Sequence, residues 1–107
     1  MIESIDGAAF SARVRASKRP VVVDFYGQQC PPCARLLPHL EAVARETGDA
    51  AAFVKIDVAD AEDVAAELGV FTVPTVLFFR DGQPVDKITG YVPKATLAAR
   101  VAELLER

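Results

Sequence analysis

The chain has no tryptophan, one methionine, one histidine and two cysteines among its 107 residues. No apolar run approaches the ~20 residues that a membrane-spanning helix needs, and no block of like charges occurs. These absences narrow the field. Two cysteines are too few for the disulfide framework of a small secreted domain. A net charge of −3 without clustered Lys and Arg argues against a phosphate-tracking surface, so neither nucleic acid nor membrane is expected as a partner. The first fifteen residues, MIESIDGAAFSARVR, carry an early acid and no long apolar core. They do not read as a secretory signal, which makes the cytoplasm the expected compartment. What is present, 51% hydrophobic and 25% charged residues, is ordinary for a soluble fold and sufficient for one domain over residues 1–107.

The pattern along the chain alternates strands and helices. Residues 1–5 suit a short edge strand. Asp6 can cap a helix to about Ser17, in which Phe10 and Val14 share a face. Pro20 precedes an apolar strand from Val21. Pro31 opens a helix expected to reach Thr47 and stop at Gly48, with Leu36, Leu37, Leu40, Val43 and Ala44 as its apolar stripe. Pro38 removes one hydrogen bond from it and predicts a kink near Ala34–Pro38. Residues 51–58 read as a second buried strand, and Asp60 as the cap of a short helix through Leu68, closed by Gly69. Pro74 cannot donate to a ladder, so the next strand begins at Thr75. Asp81-Gly82 marks a turn into an antiparallel strand over Val85–Thr89. Pro93 begins a last helix whose Leu97, Val101, Leu104 and Leu105 lie on one face. The order predicts an α/β three-layer sandwich with a central mixed sheet of four or five strands flanked by helices.

The chemistry concentrates in Val21–Cys33, VVVDFYGQQCPPC. A β-branched and aromatic run carries one ionisable residue, Asp24, and leads through a short loop into two cysteines at a helix start. A pair separated by two residues closes almost no loop and adds little stability by chain entropy. Reversible redox chemistry or metal binding remains. Structural zinc takes four ligands; His39, six residues past Cys33, cannot complete such a site. An iron–sulfur cluster shared across a dimer would supply four thiolates and is the surviving metal alternative. A cysteine just before a helix faces unpaired N–H groups and the positive end of the helix dipole, which favour its thiolate. Cys30 holds that position, and Pro31 pushes it out of helical geometry as an N-cap requires. Cys33, one turn on, is expected to be more buried and to act as the resolving thiol. From the residues alone, Asp24 fits either a functional buried acid or a strand end meeting solvent. Lys55, beside Asp57, fits an exposed strand face equally well.

Several motifs occur in order and at a shared spacing: Val23-Asp24-Phe25-Tyr26, Cys30-x-Pro32-Cys33, Pro38, Lys55-Ile56-Asp57, Val73-Pro74-Thr75, Asp81-Gly82 and Gly90. On these the chain resembles the thioredoxin family from about Ala8 to Leu105. The resemblance implies a thioredoxin fold with Pro74 in the cis form beside the cysteines. It implies that Asp24 relays the proton of Cys33 with Lys55 tuning it, and that Pro32, Thr72, Val73, Pro74 and Gly90 bear the substrate. It further implies a monomer without cofactor or metal, acting on protein disulfides and supplied by a reductase, thioredoxin reductase being the obvious type. The sequence departs from the family pattern at Gln29 and Tyr26, where tryptophans are usual, and at Pro31, usually glycine. The first change removes apolar docking area, predicting narrower partners; the second stiffens the turn and deletes an N–H, shifting the redox potential. Two functions follow: a thiol–disulfide oxidoreductase reducing protein disulfides, or a thioredoxin-fold binding module with little general reductase activity. An oxidase or isomerase is a narrower third, disfavoured by proline rather than histidine between the cysteines.

Overall fold

A computed structural model describes residues 2–107. Strand β1 (Ile2–Ile5) lies at one edge of a five-stranded sheet, followed in space by β3 (Ala52–Asp57), β2 (Val21–Tyr26), β4 (Thr75–Arg80) and β5 (Gln83–Thr89). The β1–β3 and β2–β3 pairs are parallel, and β2–β4 and β4–β5 are antiparallel. The expected mixed sheet is therefore present, with five strands. Helices α1 (Pro31–Thr47) and α3 (Lys94–Glu106) cover one face and α2 (Glu62–Glu67) the other.

The period-2 alternation of β2 divides the interior into two cores. Val21, Val23 and Phe25 point to the α2 side, where they meet Phe10, Val14, Ile56 and Phe79. Val22 points to the other side and packs with Leu36 and Leu40 of α1 and Leu97, Val101 and Leu104 of α3. Full burial of a Leu, Val or Phe side chain is worth roughly 1.5–3 kcal/mol, so the two clusters hold the sheet between its covering layers. The same alternation puts Asp24 on the α1 side, under the start of that helix.

Several boundaries differ from the sequence expectation. Asp6 does cap a turn, accepting from the Ala9 N–H at 3.0 Å. The predicted helix to Ser17 is instead a 3-10 turn (Gly7–Ala9) followed by a π-helical stretch (Ser11–Arg15). Packing sets that path: a Cβ on Gly7 would lie 3.0 Å from the Asp60 carbonyl oxygen. Asp60 caps nothing in α2; Asp57 caps the turn before it, accepting from Ala59 N–H at 3.0 Å. The second buried strand spans 52–57 rather than 51–58. Strand β5 begins two residues early and includes Pro84, which an edge strand tolerates next to the bulge at Phe78/Phe79. Leu105 is 38% exposed, outside the core face of α3, and Leu37 is only half-buried. Helix α1 runs through Pro38, which lies on its exposed side. At the β4–β5 turn Gly82 has φ +76°, and a Cβ there would sit 2.3 Å from the Arg15 carbonyl oxygen. Only glycine fits.

Candidate active site

Cys30 caps α1 in an extended conformation (φ −117°, ψ 94°). Pro31 and Pro32 have no N–H, so the first amide of the helix is that of Cys33, which donates to Cys30 Sγ at 3.3 Å. Among the described residues, the amide that reaches Cys30 Sγ is therefore that of Cys33, with no contribution from position 31. The two cysteines are joined as a disulfide, their Cα atoms 5.2 Å apart. Cys33 is the more buried, at 6% exposure, while Cys30 is half-buried.

Beneath the helix start lies Asp24, 2% exposed, with Oδ1 lacking any hydrogen-bond partner. Burial pushes its carboxyl up from the usual 3.8 to about 7, with the Lys55 charge pulling the other way. Register explains that pairing: Asp24 of β2 stands opposite Lys55 of β3 and Val76 of β4. Asp24 is thus an interior acid and not a strand end meeting solvent. Lys55 is half-buried, its Nζ 5.6 Å from the centre of the Tyr26 ring. Tyr26 has its own hydroxyl pKa raised, by burial first and then by Asp57, Asp60 and Asp24. A cleft of about 530 Å³ brings Asp24, Lys55, Cys30 and Cys33 into one wall.

The loop before β4 approaches the loop that leads into Cys30. The Val73–Pro74 peptide is cis, the form the resemblance implies. Thr75 Oγ1 donates to the Thr72 carbonyl at 2.7 Å, and Gly90 N–H to the Pro74 carbonyl at 2.8 Å, which ties this loop to the end of β5. A Cβ on Gly27 would lie 3.2 Å from Val73 Cγ2, so the loop before Cys30 and the loop before β4 are in close approach. Thr72 is exposed, Val73, Gly90 and Pro32 are half-buried, and Pro74 is buried.

Several contacts had no local pattern to reveal them. Gln28 Nε2 donates to Asp57 Oδ2 at 2.7 Å. Together with the Ala59 N–H, this holds the Asp57 carboxyl below its usual range, the Gln28 bond contributing most. Asp57 is itself buried, so β3 does not present the ordinary exposed face considered above. His39, given no role by the sequence, pairs through Nε2 with the Tyr91 hydroxyl at 2.9 Å. Gln29 is exposed, with φ +51°. Among the described residues no group of three or more His, Cys, Asp or Glu side chains is arranged to hold a metal ion, and no helix is long and apolar enough to cross a membrane.

Comparisons with known proteins agree with this geometry. The thioredoxin family model matches residues 1–103. Among curated relatives, thioredoxin of Mycolicibacterium smegmatis is 40% identical over 99 residues, covering 91% of this chain and 88% of that protein. Thioredoxin 1 of Synechococcus elongatus is 37% identical over 95 residues, 89% of each chain. Thioredoxin of Alicyclobacillus acidocaldarius is 32% identical over 103 residues, 96% of this chain and 97% of its own. Proteins of this kind work through their own cysteine pair and not through a bound cofactor. With a CxxC disulfide at the N-cap of α1 and these matches over nearly its whole length, the chain belongs to the thioredoxin family and is a thiol–disulfide oxidoreductase that reduces protein disulfides.

Proposed function

We propose that residues 1–107 act as a single thioredoxin-like domain in which Cys30 is the nucleophile and Cys33 the resolving thiol. The observation that carries this assignment is the cleft wall shared by Cys30, Cys33, Asp24 and Lys55. In the reduced protein the Cys30 thiolate, capped by the Cys33 N–H and the helix dipole, attacks a substrate disulfide and forms a mixed disulfide. The displaced substrate sulfur leaves as a thiolate and takes up a proton. Cys33 must then lose its proton before it can attack Cys30 Sγ. Asp24 is the acceptor: a buried carboxyl with an unpartnered oxygen and a pKa near neutrality takes and returns a proton at physiological pH. Lys55 limits how far burial raises that carboxyl. The second attack frees the reduced substrate and restores the Cys30–Cys33 disulfide.

Protein substrates lie along Pro32, Thr72, Val73, Pro74 and Gly90, a reading supported by the hydrogen bonds that tie this loop to the end of β5. Electrons reach the dithiol from a reductase and pass on to protein disulfides. We assign the protein to the cytoplasm as a monomer, with no role at nucleic acid or membrane. The Cys-Pro-Pro-Cys turn, with one amide donor at Cys30 Sγ, gives it a redox potential of its own.

Insulin-disulfide reduction by dithiothreitol tests the assignment. The wild-type protein accelerates it and Cys30→Ser abolishes the acceleration, while prereduced Cys33→Ser, mixed with insulin after the dithiothreitol has been removed, accumulates a mixed disulfide visible on a non-reducing gel. A wild-type rate equal to dithiothreitol alone, or a Cys33→Ser variant that traps nothing, would overturn it. Equilibration with glutathione buffers places the potential.

A further inference from the structure

The first turns of α1 present two different faces. Ala34 and Leu37 turn to the cleft, which Gly27 and Gln29 also line. Pro32, Arg35 and His39 recur at the helical spacing i, i+3, i+7 on the opposite side, where Arg35 and His39 meet Tyr91. Tyr91 follows Gly90, whose N–H donates to the Pro74 carbonyl, and it is 40% exposed. Its hydroxyl pairs with His39 Nε2 at 2.9 Å, and the Arg35 guanidinium carbon lies 5.5 Å from the ring centre. The ring is thus pinned at its hydroxyl, with the guanidinium resting over it. A guanidinium held over an aromatic face keeps its N–H edge free for a carboxylate. Charge around this cluster is one-sided. The chain carries 15 acids against 12 Lys and Arg. The segments that bear the dithiol and the proposed substrate track, residues 28–40, 70–76 and 87–96, include no Asp or Glu. Their lysines are already engaged: Lys94 pairs with Glu46, and Lys87 Nζ donates to the Gly69 carbonyl at 3.0 Å. Among the described residues Arg35 has no carboxylate partner.

We infer that Arg35, seated on Tyr91, selects protein disulfides that carry an Asp or Glu close to the attacked cysteine. The inference rests on the reductase reading and on the substrate track proposed above, which Tyr91 extends by one residue beyond Gly90. A carboxylate on a docked substrate meets the open edge of Arg35 with no acid of this chain competing for it. A substrate lysine in the same place meets a like charge. Complementary charge of this kind acts on partner choice and on the rate of encounter more than on the chemical step. The exchange itself proceeds through Cys30 and Cys33 as described. Tyr91 and His39 are positioning residues: they hold the guanidinium in place, so that less side-chain freedom is lost when the substrate docks. With an exposed glutamine at position 29 offering little apolar area, this stacked cation gives the docking surface a specificity of its own.

The probes are synthetic peptides with one intramolecular disulfide and a single glutamate, moved stepwise through the residues that flank the cysteines. Each is compared with the glutamine peptide of the same register. Prereduced full-length protein is mixed with each peptide at low ionic strength under single-turnover conditions, and the ratio of the two second-order rates is read. That ratio cancels any change in the reactivity of the dithiol itself. In the best register the wild type reacts about threefold faster with glutamate, the size expected of one exposed ion pair, and added salt narrows the gap. Arg35→Gln brings the ratio to one, and Arg35→Glu inverts it. Tyr91→Leu lowers it without changing the charge. Both positions are exposed, and circular dichroism verifies that each variant is folded. A ratio of one at every register in the wild type, or a preference that survives Arg35→Gln or Tyr91→Leu at full size, overturns the inference. A wild type that reduces the peptides and insulin without preference loses this docking site and keeps the reductase reading. One that reduces neither loses both.

Discussion

Two buried aspartates, Asp24 on β2 and Asp57 on β3, lie on the same face of neighbouring strands and are held in opposite ways. Asp57 accepts from the Gln28 side chain and the Ala59 amide, and its carboxyl is held below the usual range. Asp24, at 2% exposure, has an oxygen with no partner, and burial raises its carboxyl to about 7. One acid is satisfied and stays ionised; the other is starved of donors and titrates where cells live. Burial alone therefore does not mark a proton carrier. The distinguishing feature is whether the fold supplies hydrogen-bond donors to the charged form. Asp57 anchors the Gly27–Gln29 loop to β3. Asp24, beneath Cys33, is kept at a cost to stability, which is the pattern expected of a working acid.

The largest effect comes from Asp24→Asn. The folded carboxyl has a raised pKa, so between the unfolded value near 3.8 and about 7 the native state holds more protons than the unfolded one. Stability must then fall as pH rises through that window, levelling off above about 7. A shift of this size corresponds to about 4 kcal/mol at alkaline pH. Asp24→Asn removes the pH slope and is more stable than wild type at pH 8, with little difference below pH 4. It also slows mixed-disulfide resolution by about a hundredfold, the low end of general-base effects. Urea denaturation of the oxidised protein at several pH values checks the first. Quenched-flow release of reduced substrate checks the second. A wild type whose stability is flat from pH 4 to 8 would erase the contrast between the two acids.

Asp57→Asn should do the reverse and less. Its pKa is lowered in the fold, so its contribution is present above about 3.8 and is lost as pH falls through the lower folded value. Substitution weakens two hydrogen bonds to a buried carboxylate, which costs roughly 1–3 kcal/mol. Resolution of the mixed disulfide is untouched, because the Cys33 proton never passes to this group. The same denaturation series reads the stability loss at pH 7. Rapid-mixing kinetics equal to wild type would confirm that the two acids have separate jobs.

Asp24 was visible in the sequence because it interrupts the run Val21–Tyr26, whose β-branched and aromatic residues can hardly be anything but a buried strand. The dithiol at the head of Pro31–Thr47 was visible for a similar reason: proline after Cys30 and an apolar stripe to Ala44 leave one place for the cap. The role of Asp57 was not. Its donor Gln28 comes from 29 residues away, and no local pattern links a loop glutamine to the end of another strand. The cap expected at Asp60 is absent because the chain makes a 3-10 turn over Val58–Asp60, capped by Asp57, so that α2 starts after Ala61 with no side-chain cap. Phe10 and Val14 do share a face, and it is buried, yet the backbone between them is π-helical and not α-helical. Spacing reports which side chains face inward more faithfully than it reports the backbone that carries them. The cleft was invisible for the opposite reason: it is made by what Gly27 and Gln29 do not fill.

The smallest effect, and the most specific to the environment of Asp24, is that of Lys55→Met. Methionine keeps an unbranched apolar stem against Tyr26 and removes a cation that favours the ionised carboxylate. The Coulombic pull of Lys55 opposes the burial effect and is the weaker of the two. Its loss should move the Asp24 titration further up, above about 7, without changing the residue's burial. The stability decline with pH then extends to higher pH, and the pH midpoint for resolution by Cys33 rises with it. Asp57, held by its own two donors, keeps its acid-range behaviour in the same variant. A carboxyl-specific infrared or NMR titration reads both groups at once. A rise at Asp24 alone means that Lys55 acts on the proton-carrying acid and not on the strand pair as a whole. Parallel shifts at both acids would mean that the cation acts on the shared sheet face, and would remove Lys55 from the mechanism as a specific partner of Asp24.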